Sequence, residues 1–200
     1  MDRQIEQLKT NLNKYEPYLR ALESLFLKMD QTYEKAAAHY TFKCQGCIDN
    51  CCYTLFYHHT VLEYLYLFHG FSSLDPKNRQ GIKKKAENAC KLQTESADEP
   101  NKSTRLVCPA NHDSRCLLYK YRPMICRLHG IPHQLTRPDG KVIHGPGCDM
   151  FTKVSKEINY FKFDRSPFYI EMSQLEKKFR QESGITSKFK QTVSQMIETF

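Results

Sequence analysis

Eight of the nine cysteines of this chain fall in two stretches. Cys44, Cys47, Cys51 and Cys52 form a C-x2-C-x3-C-C run. Cys108, Cys116 and Cys126 follow with seven and nine residues between them, trailed by Cys148. Thiols at this density serve to hold a metal or to be oxidised. A tetrahedral centre with metal–sulfur bonds of about 2.3 Å needs sulfurs roughly 3.8 Å apart, and a C-x2-C turn supplies two at that separation. Gly46 eases that turn, because glycine takes positive φ without steric cost. Cys51 can add a third ligand. Cys52 adjoins it, and successive side chains point apart, so the two serve neighbouring centres or one of them stands behind the ligands. In the second stretch each cysteine lies beside turn-forming residues: Cys108-Pro109, then Asn111 to Arg115 before Cys116, then Tyr121-Arg122-Pro123 before Cys126. Loops of this kind build a weak core unaided, whereas a structural metal adds on the order of 10 kcal/mol to folding.

Composition points the same way. The chain has no run of about 18 apolar residues, which reads as no membrane span. Its start, Met1 to Gln7, is charged and lacks a signal-peptide core. A cytoplasmic location is therefore expected, where disulfides are rare, and an odd cysteine count fits a disulfide framework poorly. The formal charge of +8 falls to about +4 if two four-thiolate centres each carry roughly −2. The basic residues are dispersed apart from Lys83-Lys84-Lys85, which reads as a solvated helix face. This argues against a nucleic-acid partner.

The ordered cysteine pattern resembles the YkgJ-type zinc- or iron-chelating domains. These share a CxxCxxCC-like cluster, a C-P start, and a C-x2-Y-x2-R-P-x2-C-R block. The matching residues are Cys44, Cys47, Cys51 and Cys52, then Cys108-Pro109, then Cys116 to Arg127 without a gap. One departure is that three residues separate Cys47 from Cys51. The resemblance spans roughly Cys44 to Cys148 and implies a bound iron–sulfur cluster or zinc. Flagellin lysine N-methylases look similar in this region, so a protein-modifying role also follows from the resemblance. Thiolate number and the apolar flanks Tyr53, Leu55, Phe56, Ile125 and Leu128 favour a [4Fe–4S] cofactor over zinc. Arg122 and Arg127 flank Cys126, and their expected role is to compensate an anionic cofactor. The ordinary alternative is a salt bridge. His129 and His133 read as ligands, proton carriers or hydrogen-bonded structural residues. Cys90 reads as a small half-buried residue outside the metal set.

The elements that must position these residues are mostly helices. Ile5, Leu8, Leu12, Tyr15, Leu19, Leu22, Phe26, Met29, Tyr33, Ala36 and Tyr40 recur at spacings of three and four, a helical seam that Pro17 kinks or divides. The seam packs on its own domain or forms a homodimer. Tyr53 to Tyr57 reads as extended. Thr60 caps a helix that stops at Gly70, and Asp75-Pro76 opens another running to about Gln93. Thr94 to Thr104 reads as a loop. Arg127 to Leu135 and Lys141 to His144 form a hairpin around Pro138-Asp139-Gly140. Ser166-Pro167 starts a helix that Gly184 ends, and a last helix uses Phe189, Val193, Met196, Ile197 and Phe200.

The expected fold is mainly α with small irregular β elements, its helices arranged around a cysteine-rich metal-binding core. The divisions are a helical segment 1–40, a cysteine-rich domain 41–152 and C-terminal helices 153–200. The leading functional expectation is a cytosolic iron–sulfur protein in electron transfer, or an accessory to modification of a protein partner. A structural zinc module for nucleic acid or protein, and a methyltransferase-like enzyme, are the alternatives. No GxGxxG, P-loop or G-x-S-x-G motif supports nucleotide binding or hydrolysis.

Overall fold

The computed structural model describes residues 3–44, 51–98, 106–154 and 159–200. The fold is mainly helical with two small hairpins. The amino-terminal seam is divided: α1 (Arg3–Thr10) leads through a single 3-10 turn (Leu12–Tyr15) into α2 (Glu16–His39). Pro17 sits in the first turn of α2, where its missing N–H costs no hydrogen bond. The apolar stripe crosses the break intact. Ile5, Leu8, Tyr15, Leu19, Leu22, Phe26, Met29 and Ala36 are all buried, and α2 packs against three other helices of its own chain.

Helix α3 (Val61–Ser72) is buried on nearly every side, from Val61 through Leu67. A helix apolar all round belongs at the centre of a fold, and the others are arranged about it. Its start is doubly capped. Thr60 Oγ1 accepts from the Glu63 N–H at 3.3 Å. The Glu176 carboxylate, from α7 (Ser166–Ser183), accepts from the Val61 and Leu62 N–H groups at 2.9 and 3.1 Å. A carboxylate at a helix N-terminus satisfies orphan donors and meets the positive end of the helix dipole. Gly70 does not end α3. It lies against the Tyr121 ring, where an added Cβ would come within 2.2 Å of Cγ.

Helix α4 (Pro76–Asp98) begins at Asp75, whose carboxylate accepts from the Asn78 N–H at 2.9 Å. It runs past Gln93, so Thr94 to Asp98 are helical and not part of a loop. Its thin buried face (Ile82, Ala86, Ala89) packs on α8 (Val193–Glu198), which starts with a capping box between Thr192 and Gln195. Gly184, at φ 73°, closes α7, in a left-handed conformation that glycine adopts without strain.

Between α4 and α7 the chain is irregular. Strands β1 (Asn111–His112) and β2 (Arg115–Cys116) pair about a two-residue turn, Asp113-Ser114, with both residues at positive φ. Helix α5 (Met124–Leu128) follows, so the second hairpin starts later than its sequence suggests. It pairs β3 (His133–Thr136) with β4 (Val142–Gly145). Helix α6 (Asp149–Val154) comes next. The segment Tyr53 to Tyr57 is a turn and irregular chain; regular pairing begins only at His58, which exchanges backbone hydrogen bonds with Gln191 at 2.8 and 3.0 Å.

The His58 side chain is 3% exposed, and its Nε2 has no hydrogen-bond partner among the described residues. Burial, and then His59 nearby, hold its pKa down to about 4. The folded state therefore keeps the neutral imidazole. The stability this allows is complete above the free histidine pKa of about 6.5 and is lost as pH falls toward 4. His133 is lowered to about 4 in the same direction. The melting temperature should accordingly fall between about pH 6.5 and pH 4. His58→Phe, which leaves the backbone pair with Gln191 in place, should remove roughly half of that dependence. An unchanged slope in differential scanning calorimetry would count against this account.

Candidate functional site

The strongest concentration of chemistry is a cavity of about 870 Å³ between α2, α5 and the β1–β2 hairpin. Cys44, Cys51, Cys52 and Cys108 line it, together with Cys116, Cys126 and Cys148. Each arrives on a different local device. Cys108 is tied to the first stretch by its N–H, which donates to the Cys52 carbonyl at 2.7 Å. The tight β1–β2 turn sets Cys116 opposite Asn111. Cys126 lies in the short helix α5. Cys148 is delivered by Gly147, at φ 91°, and its N–H donates to the Gly130 carbonyl at 3.1 Å. An alanine at 147 would put Cβ 2.9 Å from that same oxygen, so glycine is needed for the close approach.

Helix α5 is fixed from both sides. The buried Glu63 of α3 accepts from the Met124 N–H at 2.7 Å, which caps α5. Burial raises the Glu63 pKa, while the Thr60 and Met124 hydrogen bonds oppose the rise. On the other side, Arg127 Nη1 donates to Asp30 of α2 at 2.6 Å, its Nε donates to the Arg122 carbonyl at 2.9 Å, and its Nη2 donates to the Lys120 carbonyl. The guanidinium lies over the Phe26 ring, 4.2 Å from its centroid. Arg122 shares Asp30 at 3.3 Å and stacks on Tyr119. Arg122 lines the cavity; Arg127 does not. Asp30, Glu63, Asn111 and Gly147 have no sequence signal as site residues, since each acts through a residue distant along the chain.

The thiols are not alike. The Cys51 thiol donates to the Cys52 sulfur, and this bond, assisted by Asn111, lowers Cys52 to about 6 against the opposing effect of burial. The same bond raises Cys51, with burial adding to it. Burial, then the neighbouring thiols, raise Cys108 and Cys126. Cys116 is raised by burial to about 11, with the Leu118 N–H and the two arginines acting the other way. The arrangement thus holds one thiolate among protonated thiols. Cys51, Cys52, Cys108 and Cys126 also line a second, small cavity of about 40 Å³ behind the first.

The expected metal centre is not found. Among the described residues, no group of three or more His, Cys, Asp or Glu is placed to hold a metal ion. Cys44, Cys51, Cys52, Cys108, Cys116, Cys126 and Cys148 line one cavity without forming such a group among the described residues. Cys47 lies outside the described residues. These thiols do not fit a [4Fe–4S] cluster or zinc, and the metal-binding functions expected from the sequence, redox, structural or protein-modifying, lose their basis. The helices enclose a thiol-lined cavity, not a metal core. The resemblance to YkgJ-type domains is corrected on the same ground. Comparison with protein families, with characterised proteins and with solved structures finds no match.

Other expected residues are placed as follows. No disulfide joins any two of the eight cysteines among the described residues. Cys90 is half-buried on α4 near Glu198 and does not line the cavity. His129 lines the cavity and meets the Phe56 ring at 5.4 Å. His133 lies under Gly145, where an added Cβ would come within 2.2 Å of the ring. No helix among the described residues is long and apolar enough to cross a membrane.

Removing Asp30 tests the support of the site. Asp30→Ala leaves the buried Arg127 without its carboxylate and should cost about 3 kcal/mol or more in urea unfolding. Replacing the pair together, as Asp30→Leu with Arg127→Met, should recover much of that loss. A single variant as stable as the parent would show that the ion pair is not what holds α5.

Proposed function

We propose that this protein performs thiol–disulfide exchange in its cysteine-lined cavity, with Cys52 as the attacking thiolate and Cys108 as the thiol that completes the exchange. What supports this reading is geometric: seven thiols line one cavity, with the adjacent Cys51 and Cys52 among them, and the hydrogen bond between those two holds Cys52 below the usual thiol range. A thiolate, not a thiol, attacks a disulfide, and a pKa near the ambient pH gives the best attacking thiol. With Cys52 at about 6, most of it is ionised at neutral pH, while Cys51, Cys108, Cys116 and Cys126 are pushed toward the protonated form.

Cys108 suits the second step. A backbone hydrogen bond links it to Cys52, and the two thiols lie near enough for a charge on Cys52 to raise Cys108. In the first step the Cys52 thiolate attacks one sulfur of a disulfide R–S–S–R′. The Cys52–S–S–R bond forms, the old S–S bond breaks, and R′S⁻ leaves to take a proton from water. Cys108 then attacks Cys52 sulfur, its proton passing to the departing RS⁻. The protein dithiol is oxidised to a Cys52–Cys108 disulfide by loss of two electrons, and the substrate disulfide is reduced to two thiols. Cys51 keeps its proton throughout and stabilises the thiolate between turnovers.

Reduced protein treated with a small disulfide should yield a Cys52–Cys108 linkage, read by peptide mass spectrometry. Cys52→Ser should abolish it and Cys90→Ser should leave it unchanged. The rate of alkylation at Cys52 by iodoacetamide should rise with pH to a plateau, with a midpoint at about 6. A linkage that excludes Cys52, or a midpoint at the free-thiol value of about 8.5, would overturn the assignment.

A further inference from the structure

Among the described residues, the lysine and arginine side chains that line the cavity in front of Cys52 have no acidic counterpart. Lys43, Arg115 and Arg122 line it, and no Asp or Glu does so among the described residues. The three cations come from three separate parts of the chain: the segment after α2, strand β2, and the loop before α5. Lys43 and Arg115 are exposed, so their charges face the approach, whereas Arg122 is held by Asp30 deeper in the structure. The wall between them is largely apolar, with Phe42, Leu118 and Met150 among its residues. A volume of about 870 Å³ falls within the roughly 300–1,000 Å³ usual for a pocket that encloses a small molecule. It is too small for a folded protein domain.

We infer that the cavity selects small disulfides bearing carboxylates, held by Lys43 and Arg115 at the mouth with the S–S bond presented to Cys52. This rests on the exchange reading above and specifies its substrate. The chemistry is unchanged: the bond between the two substrate sulfurs breaks, the Cys52–Cys108 bond forms, and two electrons and two protons end on the released thiols. The protons come from Cys108 and from water. What the cations add is local concentration of an anion, which apolar, low-dielectric walls strengthen and which salt weakens. Two carboxylates on one ligand also meet two separate cations, which a singly charged ligand cannot do.

The test compares three disulfides at equal concentration with the full chain in its reduced form: glutathione disulfide (anionic), 2-hydroxyethyl disulfide (neutral) and cystamine (cationic). Loss of free thiol is followed by stopped-flow at low salt. The anionic disulfide should react at least about tenfold faster than the cationic one, and the ratio should shrink toward that of a free small thiol as salt rises. The double variant Lys43→Gln with Arg115→Gln should lose that preference while its rate with the neutral disulfide stays within about twofold. That neutral rate also reports that the variant is folded and its Cys52 intact. Equal rates with all three disulfides would overturn the charge selection and leave the exchange reading standing. Failure of all three to react with the parent protein would overturn both.

Discussion

Helix α5 has five residues, too few to be stable alone, since isolated helices shorter than about 12 residues are marginal. Its position is imposed from outside by two carboxylates, the buried Glu63 and the half-buried Asp30. Glu63 reaches across from α3 to cap its first turn, and Asp30 reaches from α2 to hold Arg127 at its end. Everything around the cavity follows from that constraint. Cys126 faces the other thiols because α5 cannot rotate, and Arg122 enters the lining because the same aspartate holds it. Burying an acid or a guanidinium is costly unless each is paired and hydrogen-bonded. Here Arg127 has three acceptors, on Asp30, Arg122 and Lys120, with an aromatic face over which its plane can lie.

The regular helices were legible in the sequence because each carries its own local signals. The stripe from Ile5 to Tyr40 specifies which face of α1 and α2 is buried, and Pro17 signals a kink or a division, which takes the form of a break just ahead of it. Thr60, Asp75-Pro76, Ser166-Pro167 and Gly184 mark boundaries through capping and backbone chemistry that needs no tertiary partner. The misreadings lie where local and tertiary signals disagree. Gly70 looks like a helix stop, yet it is a contact with Tyr121. Arg127 begins an apparent strand, yet the carboxylates of Glu63 and Asp30 draw its neighbourhood into a helix. Thr94 to Asp98 are polar and breaker-like, yet they continue α4, along which the buried side packs on α8.

The site was legible in membership but not in geometry. Sequence spacing grouped these thiols as ligands of a metal; seven of them line one cavity, without a metal-holding group among the described residues. It could not report how far apart the sulfurs stand. Spacing constrains ligands only within one turn, as in Cys44-x2-Cys47. The distance between the two stretches is set by the backbone hydrogen bond from Cys108 to Cys52 and by the anchoring of α5, neither of which leaves a trace in the spacing. Nor did the sequence distinguish Cys51 from Cys52. That distinction comes from one hydrogen bond between adjacent side chains and from Asn111, fifty-nine positions farther along the chain.

The protonation pattern explains why a crowded thiol cavity favours exchange over ligation. A centre with four thiolate ligands must release the protons of all four, and metal affinity has to meet that cost. In this cavity burial and mutual repulsion raise Cys51, Cys108, Cys116 and Cys126 together, so each additional ionisation is harder than the one before. Their neighbour Cys52 is lowered instead, because Cys51 donates to it. Disulfide exchange needs one thiolate at a time and a nearby protonated thiol to resolve the mixed intermediate. The same electrostatics that makes a fully ionised sulfur cluster expensive therefore suits the proposed exchange, in a cavity that Lys43 and Arg115 also line.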